Sequence, residues 1–445
     1  MPSAPHPHGH APAHEGTADG QEVHSDGARS AGAHQGPSHR TGNHHARSVE
    51  AHRTAVTELL APLAGAGRTE RLVLRDALGR GLAQDVTAPV SLPPFANSQM
   101  DGFAVRAADV SDGGAELRVA GTVPAGAVPG PLEPGTAAPI MTGAMIPAGA
   151  DAVVPVEKAV PDRFPDPGTD ASVWLPATAA GTFVRSVGSD VAAGELALAA
   201  GTFLGPAQLG LLAGLGIAEV TVYKGLTVLL VTTGDEVVEP GQPLAEGRIY
   251  NSNGTLLESA LRQAGLDVVR TRIATDSPGE LEELLRSHAP AADLIVTTGG
   301  VSMGAYEVVR QVLEGQGADF VHVAMQPGGP QGIGTFDGVP FLGFPGNPVS
   351  CLVSFEMFLR PVLSGLFGAP AHRAPVRARL AQGLTSPAHK HQVRRGSLQS
   401  DGTVRLEGGE SSHLMHALAG SNALIHVPVG ISALAEGDEV EVWML

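Results

Sequence analysis

The hydrophobic pattern of residues 226–365 alternates between apolar runs and amphipathic stretches. The run LTVLLVT, which begins at Leu226, predicts a buried strand, and SNGTLLESALRQAG, which begins at Ser252, has the apolar spacing of a helix closed by Gly265. The same order recurs through DVVRTRIATDSP, ADLIVTT, AYEVVRQVLEGQG, FVHVAM, VPFLGF and PVSCLVSFEMFLRPVL. This alternation predicts a doubly wound, three-layer α/β domain with a mostly parallel sheet.

The segments on either side of this domain have other patterns. Residues 48–63 have the apolar spacing of an amphipathic helix, whereas residues 85–185 contain short apolar runs between glycine and proline turns, which predicts an all-β module. Residues 205–216 return to a helical pattern. Residues 372–445 contain short strand-like runs such as EVEVWML, so we expect a small β-domain at this end.

The first 47 residues have almost no large apolar side chains and are rich in histidine, glycine, alanine, proline and serine. Such a composition cannot bury enough surface to offset the entropy of ordering, which predicts a disordered tail. The tail contains nine of the 18 histidines. A histidine-rich tract can bind metal ions, but a solvated tail with incidental metal affinity explains the same composition.

Composition narrows the functional classes. The chain has 45 acidic and 28 basic residues and a formal net charge of -17, which argues against a general nucleic-acid-binding surface. One cysteine, Cys351, excludes an intrachain disulfide and a cysteine-built zinc site. No apolar run reaches the roughly 18 residues of a transmembrane helix, and no signal-peptide pattern occurs, so we expect a cytoplasmic protein without a membrane partner.

Three glycine-containing loops follow predicted strands: TTGDE (232–236), TTGGVSMG (297–304) and FPGNP (344–348). Ligands of open α/β sheets bind beyond the carboxyl ends of the strands, where glycines expose backbone N–H groups. Acidic residues accompany the loops, so a phosphorylated ligand held with a divalent cation fits the pattern. Each loop alone could be an ordinary turn, Asp276 could cap a helix, and Glu307 could be a solvated first-turn acid.

Neither GxxxxGK[ST] nor GxGxxG occurs, which excludes an ordinary P-loop and an ordinary dinucleotide-binding site. Two polar stretches of the all-β module, FANSQMDGFAVRAADV (95–110) and PIMTGAMIPAGADAVVPVE (139–157), add Asp101 and Thr142 as candidates. Tight turns could explain MDG and MTG, but polar residues between apolar runs favour a functional site.

Five of these motifs occur in one order: FANSQMDGFAVR, PIMTGAMIPAGADAVVPVE, TTGDEVVEPGQPL, TTGGVSMG and FPGNPVS. In this order the chain, from about residue 48 to 445, resembles the MoeA family of molybdopterin molybdotransferases, whose homologues include the gephyrin E-domain. The resemblance implies insertion of molybdenum from molybdate into adenylylated molybdopterin, with release of AMP and assistance from Mg²⁺. It also implies a homodimer whose cleft joins the α/β domain of one chain to β-domains of the other.

The resemblance implies a domain division as well. We expect a segmented domain at 48–92 and 186–222, an inserted β-domain at 93–185, the MogA/MoaB-like α/β domain at 223–371 and a C-terminal β-barrel at 372–445. A molybdopterin adenylyltransferase is the implied upstream partner, and molybdoenzymes or their chaperones are the implied recipients.

The resemblance also assigns roles to individual residues. It implies catalytic roles for Asp101, Thr142, Glu236, Asp276 and Glu307, although most family members have Asp where this chain has Glu307. It implies that the last three acids hold the metal. The residues implied to bind the cofactor are Thr233, Gly234, Asp235, Gly299, Gly300, Ser302, Gly304, Pro345, Gly346, Asn347, Arg395 and Ser412.

One departure from the family pattern concerns charge. Many members have lysines in a K-x-x-x-K-P-G-K-P pattern that leads into a glycine loop, where this chain has His322, Gln326 and Gly329 within HVAMQPGGPQGIG. An oxyanion would lose charge-assisted hydrogen bonds worth roughly 1.5–3 kcal/mol each. Arg310, Arg395 or backbone N–H groups compensate, or the chain is a paralogue that binds molybdopterin without turnover. His322 would make oxyanion affinity sensitive to pH.

A third hypothesis makes the α/β domain an adenylyltransferase, because MogA/MoaB domains share TGG-type loops. The fused β-domains and the PGNP helix start favour the insertion enzyme.

Overall fold

The computed structural model describes residues 46–64, 68–166, 169–271, 273–302, 307–367 and 373–445. Most of the histidine-rich tail and Gly304 lie outside these residues. The α-helices of the described residues are Val49–Leu60, Pro206–Gly214, Ser252–Gln263, Pro278–His288, Val308–Leu313, Pro348–Ser354, Arg360–Phe367 and Met415–Ala419. A π-helical turn, Phe355–Leu359, joins two of them into a continuous helix from Pro348 to Phe367.

Six strands form the α/β sheet, in the spatial order Asp267–Arg270, Thr227–Thr232, Leu294–Thr298, Val339–Phe344, Pro330–Phe336 and Ala318–His322. The first four strands are parallel, and the last two pair antiparallel. The segment DVVRTRIATDSP was predicted to be a strand, but only Asp267–Arg270 forms one. Part of the remainder is a loop that approaches the TTGDE loop.

Side chains of the central strands alternate between two hydrophobic cores. Val228 and Leu230 pack on the side of helices Ser252–Gln263 and 348–367, whereas Leu229 and Val231 pack on the side of Pro278–His288. A strand buried on both faces needs such a continuous apolar run. The predicted three-layer α/β architecture is confirmed.

The prediction of a glycine loop after residue 326 is wrong for one segment of the chain. Pro330–Phe336 forms a strand that lies between two other strands of the sheet. Gly332 lies opposite Gly343 in the register. A side chain on Gly332 would approach ring carbons of Phe341 and Phe320 to 3.0 and 3.1 Å, so glycine here makes room for two aromatic rings. The local composition indicates a loop, but packing against the neighbouring strands decides the structure.

The all-β module contains a five-stranded sheet, ordered Ala152–Pro155, Gly102–Val105, Thr136–Ile140, Ala115–Val119 and Ser172–Leu175. Three short antiparallel pairs each join a segment that precedes this sheet in the chain to one that follows it: Thr69–Val73 with Glu219–Tyr223, Val86–Thr87 with Leu196–Leu198, and Asn97–Ser98 with Val184–Arg185.

The C-terminal strands close into a five-stranded barrel, which confirms the predicted β-barrel. Each strand pairs with two others, and the strands are Pro375–Leu380, His391–Leu398, Thr403–Leu406, Ala423–Val427 and Glu439–Met444. Minor pairs are Leu384–Thr385 with Ala433–Leu434, and Val237–Val238 with Ile249–Tyr250.

Two contacts attach the barrel and the first helix to the α/β domain. The short strand Met325–Gln326 pairs in parallel with the start of the barrel strand His391–Leu398. The helix Val49–Leu60 packs on the long helix 348–367, where His52 meets Phe358 edge-on with ring centroids 4.5 Å apart. The helix 348–367 is apolar and long enough to span a membrane, but 72% of it is buried inside the protein, as expected of a core helix.

Two buried histidines make the free energy of unfolding depend on pH. Burial and the nearby Arg47 lower the pKa of His52 to about 3, and burial together with His391 and Arg53 lowers the pKa of His426 to about 3. The unfolded chain binds these protons at about pH 6.5, whereas the folded chain excludes them. The free energy of unfolding is therefore highest above pH 6.5 and falls as the pH drops towards 3.

We expect this fall to be about 1.4 kcal/mol per pH unit for each of the two histidines. The substitution His52→Phe keeps an aromatic ring against Phe358. It should remove the contribution of His52 to the pH dependence of the free energy of unfolding. His389→Phe, at an exposed position, is the matched control. Urea unfolding at neutral and mildly acidic pH measures the slope, and equal slopes in all three proteins would show that His52 is not the proton-linked group.

Candidate functional site

A cavity of about 1170 Å³ opens at the carboxyl ends of the parallel strands. The three predicted loops line it. The loop residues that were predicted to bind the cofactor and that face the cavity are Thr233, Gly234, Gly299, Gly300, Ser302, Pro345, Gly346 and Asn347. The structure thus brings the three loops together, as expected for neighbouring strands of one sheet.

Gly234 shows why the first loop needs glycine. Its φ is 136°, in the region that other residues rarely adopt. A side chain there would also lie 2.7 Å from Oε2 of Glu236, so the glycine lets this carboxylate fold back over the loop. Gly299 is constrained similarly, because a side chain on it would lie 3.0 Å from the Thr233 hydroxyl.

The three predicted metal-binding acids, Glu236, Asp276 and Glu307, all line this cavity. The loops of the first two are tied by reciprocal hydrogen bonds. The Asp235 N–H donates to Oδ2 of Asp276 at 3.3 Å, and the Asp276 N–H donates to Oδ1 of Asp235 at 3.0 Å. Asp235, predicted to contact the cofactor, instead lies outside the cavity lining and uses its carboxylate to hold the neighbouring loop.

Within the described ranges, no group of three or more histidine, cysteine or acidic side chains is arranged to hold a metal ion. The acids therefore do not form a closed, all-protein metal site. Mg²⁺ is commonly bound through one or two carboxylates together with phosphate oxygens and water. The exposed carboxylates of Glu236 and Asp276 fit that mode of binding.

The start of helix Ser252–Gln263 forms another side of the cavity, and the site predictions did not include it. Asn251 caps the helix by accepting a 2.9 Å hydrogen bond from the Gly254 N–H. Asn253 donates to the Thr298 hydroxyl at 2.9 Å and to the Gly346 carbonyl at 2.6 Å. The asparagine thereby holds two of the ligand loops together. The motif IYNSN directly before an amphipathic helix was the available signal.

The barrel supplies the opposite wall through residues 410–413 and Lys390. Ser412, which the sequence implies to bind the cofactor, lines the cavity. Its carbonyl accepts a 3.0 Å hydrogen bond from the Val349 N–H at the start of the long helix. His413, the next residue, also lines the cavity.

Arg395, which the sequence implies to bind the cofactor, is not among the residues that line this cavity. Its side chain is buried and donates to the carbonyls of Gly409 and Ser411, the latter at 3.1 Å. The guanidinium therefore stabilises the loop that carries Ser412. A motif arginine looks the same in sequence whether it contacts a ligand or a loop.

The segment without the family lysines lines the cavity through His322, Gln326 and Gly329. Lys390 is the one lysine or arginine among the described lining residues. Burial, followed by the positive charge of Lys390, lowers the pKa of His322 below its usual value. Arg310 lies outside the lining and bonds to Glu314 at 2.8 Å, so it does not replace the lysines.

Asp101 and Thr142 lie on the all-β module, outside this chain's cavity. The Thr142 N–H and hydroxyl donate to Oδ1 of Asp101 at 2.6 and 2.7 Å. These two bonds lower the pKa of Asp101 and fix the direction of an exposed carboxylate.

Cys351 is a core residue, because it is buried in the long helix. This burial raises the pKa of its thiol to about 12.

Comparison with known proteins places these features in a family. Three family models match successive parts of the chain: the MoeA N-terminal region (domain I and II) at 47–216, a probable molybdopterin binding domain at 229–365, and the MoeA C-terminal region (domain IV) at 377–445.

Individual relatives match over nearly the whole chain. Molybdopterin molybdenumtransferase 2 of Mycobacterium tuberculosis is 44% identical over 413 residues, which cover 90% of this chain and 100% of the relative. The molybdopterin molybdenumtransferase of Haemophilus influenzae is 35% identical, with coverage of 87% and 96%. A crystal structure of the molybdopterin biosynthesis MoeA protein of Pyrococcus horikoshii superimposes with a TM-score of 0.76 at 25% identity, covering 90% and 100%. The chain therefore belongs to the MoeA family of molybdopterin molybdenumtransferases.

Proposed function

We propose that this chain inserts molybdenum from molybdate into adenylylated molybdopterin, which releases AMP and gives molybdenum cofactor. The observation that carries the proposal is the convergence of Glu236, Asp276 and Glu307 with three glycine loops on one cavity at the strand ends. Such a cavity offers backbone donors for phosphates and carboxylates for a cation.

Two helix starts support phosphate binding in this cavity. The helices that begin after Asn251 and Asn347 both have their first residues in the lining. Helix N-termini carry a partial positive charge, which favours anions. At the second start Pro348 has no N–H and the Val349 N–H already donates to the Ser412 carbonyl, so the support from this start is the partial charge of the helix. The ligand's phosphates would therefore lie between these helix starts and the acids.

Mg²⁺ is part of the proposal. Glu236 and Asp276 would hold it together with the ligand's phosphates, and when bound it polarises a phosphoryl oxygen towards attack. The chain's own contribution is to position these acids. The hydrogen bonds between Asp235 and Asp276 do this, because they join the loop of Glu236 to the loop of Asp276.

We also propose a homodimer in which Asp101 and Thr142 face the cavity of the second subunit. The support is that Asp101 is exposed yet fixed in direction by two hydrogen bonds, on a module surface outside its own chain's cavity. A cytoplasmic location, an adenylyltransferase upstream and molybdoenzymes or their chaperones downstream belong to the same proposal.

Removal of the acids tests the cavity. We expect Glu236→Gln and Asp276→Asn each to lower AMP release by roughly 100-fold or more, because a lost metal contact removes several kcal/mol of transition-state stabilisation. Binding of molybdopterin should change little. Glu283→Gln, an exposed acid outside the cavity, is the matched control.

The assay mixes protein, adenylylated molybdopterin, Mg²⁺ and molybdate, and follows AMP. Molybdate-dependent AMP release supports insertion, tight pterin binding without AMP supports a paralogue without turnover, and a requirement for ATP with free molybdopterin supports an adenylyltransferase. Full activity in both acid variants would refute the proposed metal position.

The dimer is tested by mixing two inactive variants. Asp101→Ala and Glu236→Ala leave opposite halves of a shared site intact, so heterodimers should regain up to one functional site in two. AMP release from the co-expressed pair, compared with each variant alone, measures this. No recovery, with heterodimers verified by two affinity tags, would contradict a site that is shared between subunits.

The lowered pKa of His322 changes the expected pH dependence. Because the imidazole is neutral at pH 7, molybdate affinity should be flat between about pH 7 and 8 and should rise only below about pH 6.5, as the ring gains a positive charge. Equilibrium dialysis with His322→Gln as the comparison measures the difference. A clear change in affinity near pH 7.5 that disappears in His322→Gln would contradict a lowered pKa.

A further inference from the structure

The cavity has a marked imbalance of charge. Four carboxylates line it, those of Glu236, Asp276, Glu307 and Glu410, against the single ammonium of Lys390 among the described lining residues. An anionic substrate therefore meets repulsion where these carboxylates face it. The position of Lys390 decides where an oxyanion without a bound metal can be held.

Backbone pairing fixes Lys390 beside the segment that lacks the family lysines. Its neighbour His391 pairs in register with Met325, and the His391 N–H donates to the Ala324 carbonyl at 2.9 Å. The Lys390 N–H donates to the Pro387 carbonyl at 3.0 Å, which completes the turn before the strand. Lys390 thus reaches the cavity from a rigid strand end rather than from a mobile loop.

Two of the departures from the lysine pattern are coupled in space. The backbone of Gly329 has no positive φ, so its conformation is open to any residue. However, a side chain at 329 would lie 2.5 Å from Cε1 and 2.7 Å from Nε2 of His322. The imidazole of His322 therefore occupies the space of a residue 329 side chain, and the glycine is what permits this placement.

We infer that this chain holds a tetrahedral dianion such as molybdate between Lys390 and the imidazole of His322, which itself fills the space that Gly329 leaves open. Lys390 supplies the charge and the neutral ring supplies an N–H donor. The inference deepens the proposed function and rests on it for the identity of the anion. It replaces three side chains of the family pattern with one cation from the barrel and one imidazole.

Direct binding of sodium molybdate to the full-length chain, without pterin, tests the inference. We expect Lys390→Met to weaken molybdate binding by about tenfold or more, the effect of one charge-assisted bond, and Lys390→Arg to retain most of the affinity. Lys224→Met, which removes an exposed lysine outside the cavity, should have no effect. Thermal melting of each variant verifies folding.

A second pair of variants tests the coupling. Gly329→Ala should weaken molybdate binding in the presence of His322, because the new methyl group displaces the ring. In the His322→Ala background the same change should have little effect. A double-mutant cycle measures this coupling.

Unchanged molybdate affinity in folded Lys390→Met, or no saturable binding of millimolar molybdate to the unsubstituted chain, would overturn the inference. Additive effects of Gly329→Ala and His322→Ala would overturn the shared position. AMP release is a separate readout, so a chain that binds molybdate through Lys390 but releases no AMP would refute the proposed reaction and leave this inference standing.

Discussion

The pairing of Met325–Gln326 with the first residues of a barrel strand is the contact on which the rest of the site depends. Met325 and Gln326 pair in register with His391 and Gln392, and the Gln392 side chain adds a 3.2 Å hydrogen bond to that of Gln326. A second contact, from the Val349 N–H to the Ser412 carbonyl, fixes the barrel loop on the long helix. Without these contacts the strand ends would face solvent, and the cavity would lose the wall that contains its only described lysine.

Charge is the second constraint on the cavity. The acids that line it are suited to a cation, while the ligand of the proposed reaction is itself anionic, so neither charge can be accommodated alone. In the proposed reaction, Mg²⁺ between carboxylates and phosphates would resolve one half of this problem. The helix starts and Lys390, which line the same cavity, would resolve the other.

Local pattern was sufficient to predict the α/β domain, because its strands are apolar on both faces and its helices have clear starts. Asn251 and Pro278 lie at the beginnings of helices, as residues of their type commonly do. The order of the motifs also predicted the barrel. The strand Pro330–Phe336 was missed, because its glycines look like a loop until Phe320 and Phe341 are placed beside them.

Residues that depend on tertiary pairing were beyond the reach of sequence. Lys390 lies in a turn without any motif, and only the register of the barrel strand brings it to the cavity. The converse holds for Arg395, which has a motif position but points into the barrel loop. Acids at strand ends were predictable, since the carboxyl ends of parallel strands share one edge.

The most direct test of the central claim is a crystal structure of the protein with adenylylated molybdopterin, Mg²⁺ and molybdate. The account predicts that the ligand's phosphates lie against the three glycine loops, between the acids and the wall formed by the barrel. Ligand density on the outer face of the barrel or within the all-β module, with the strand-end cavity filled by water, would contradict it.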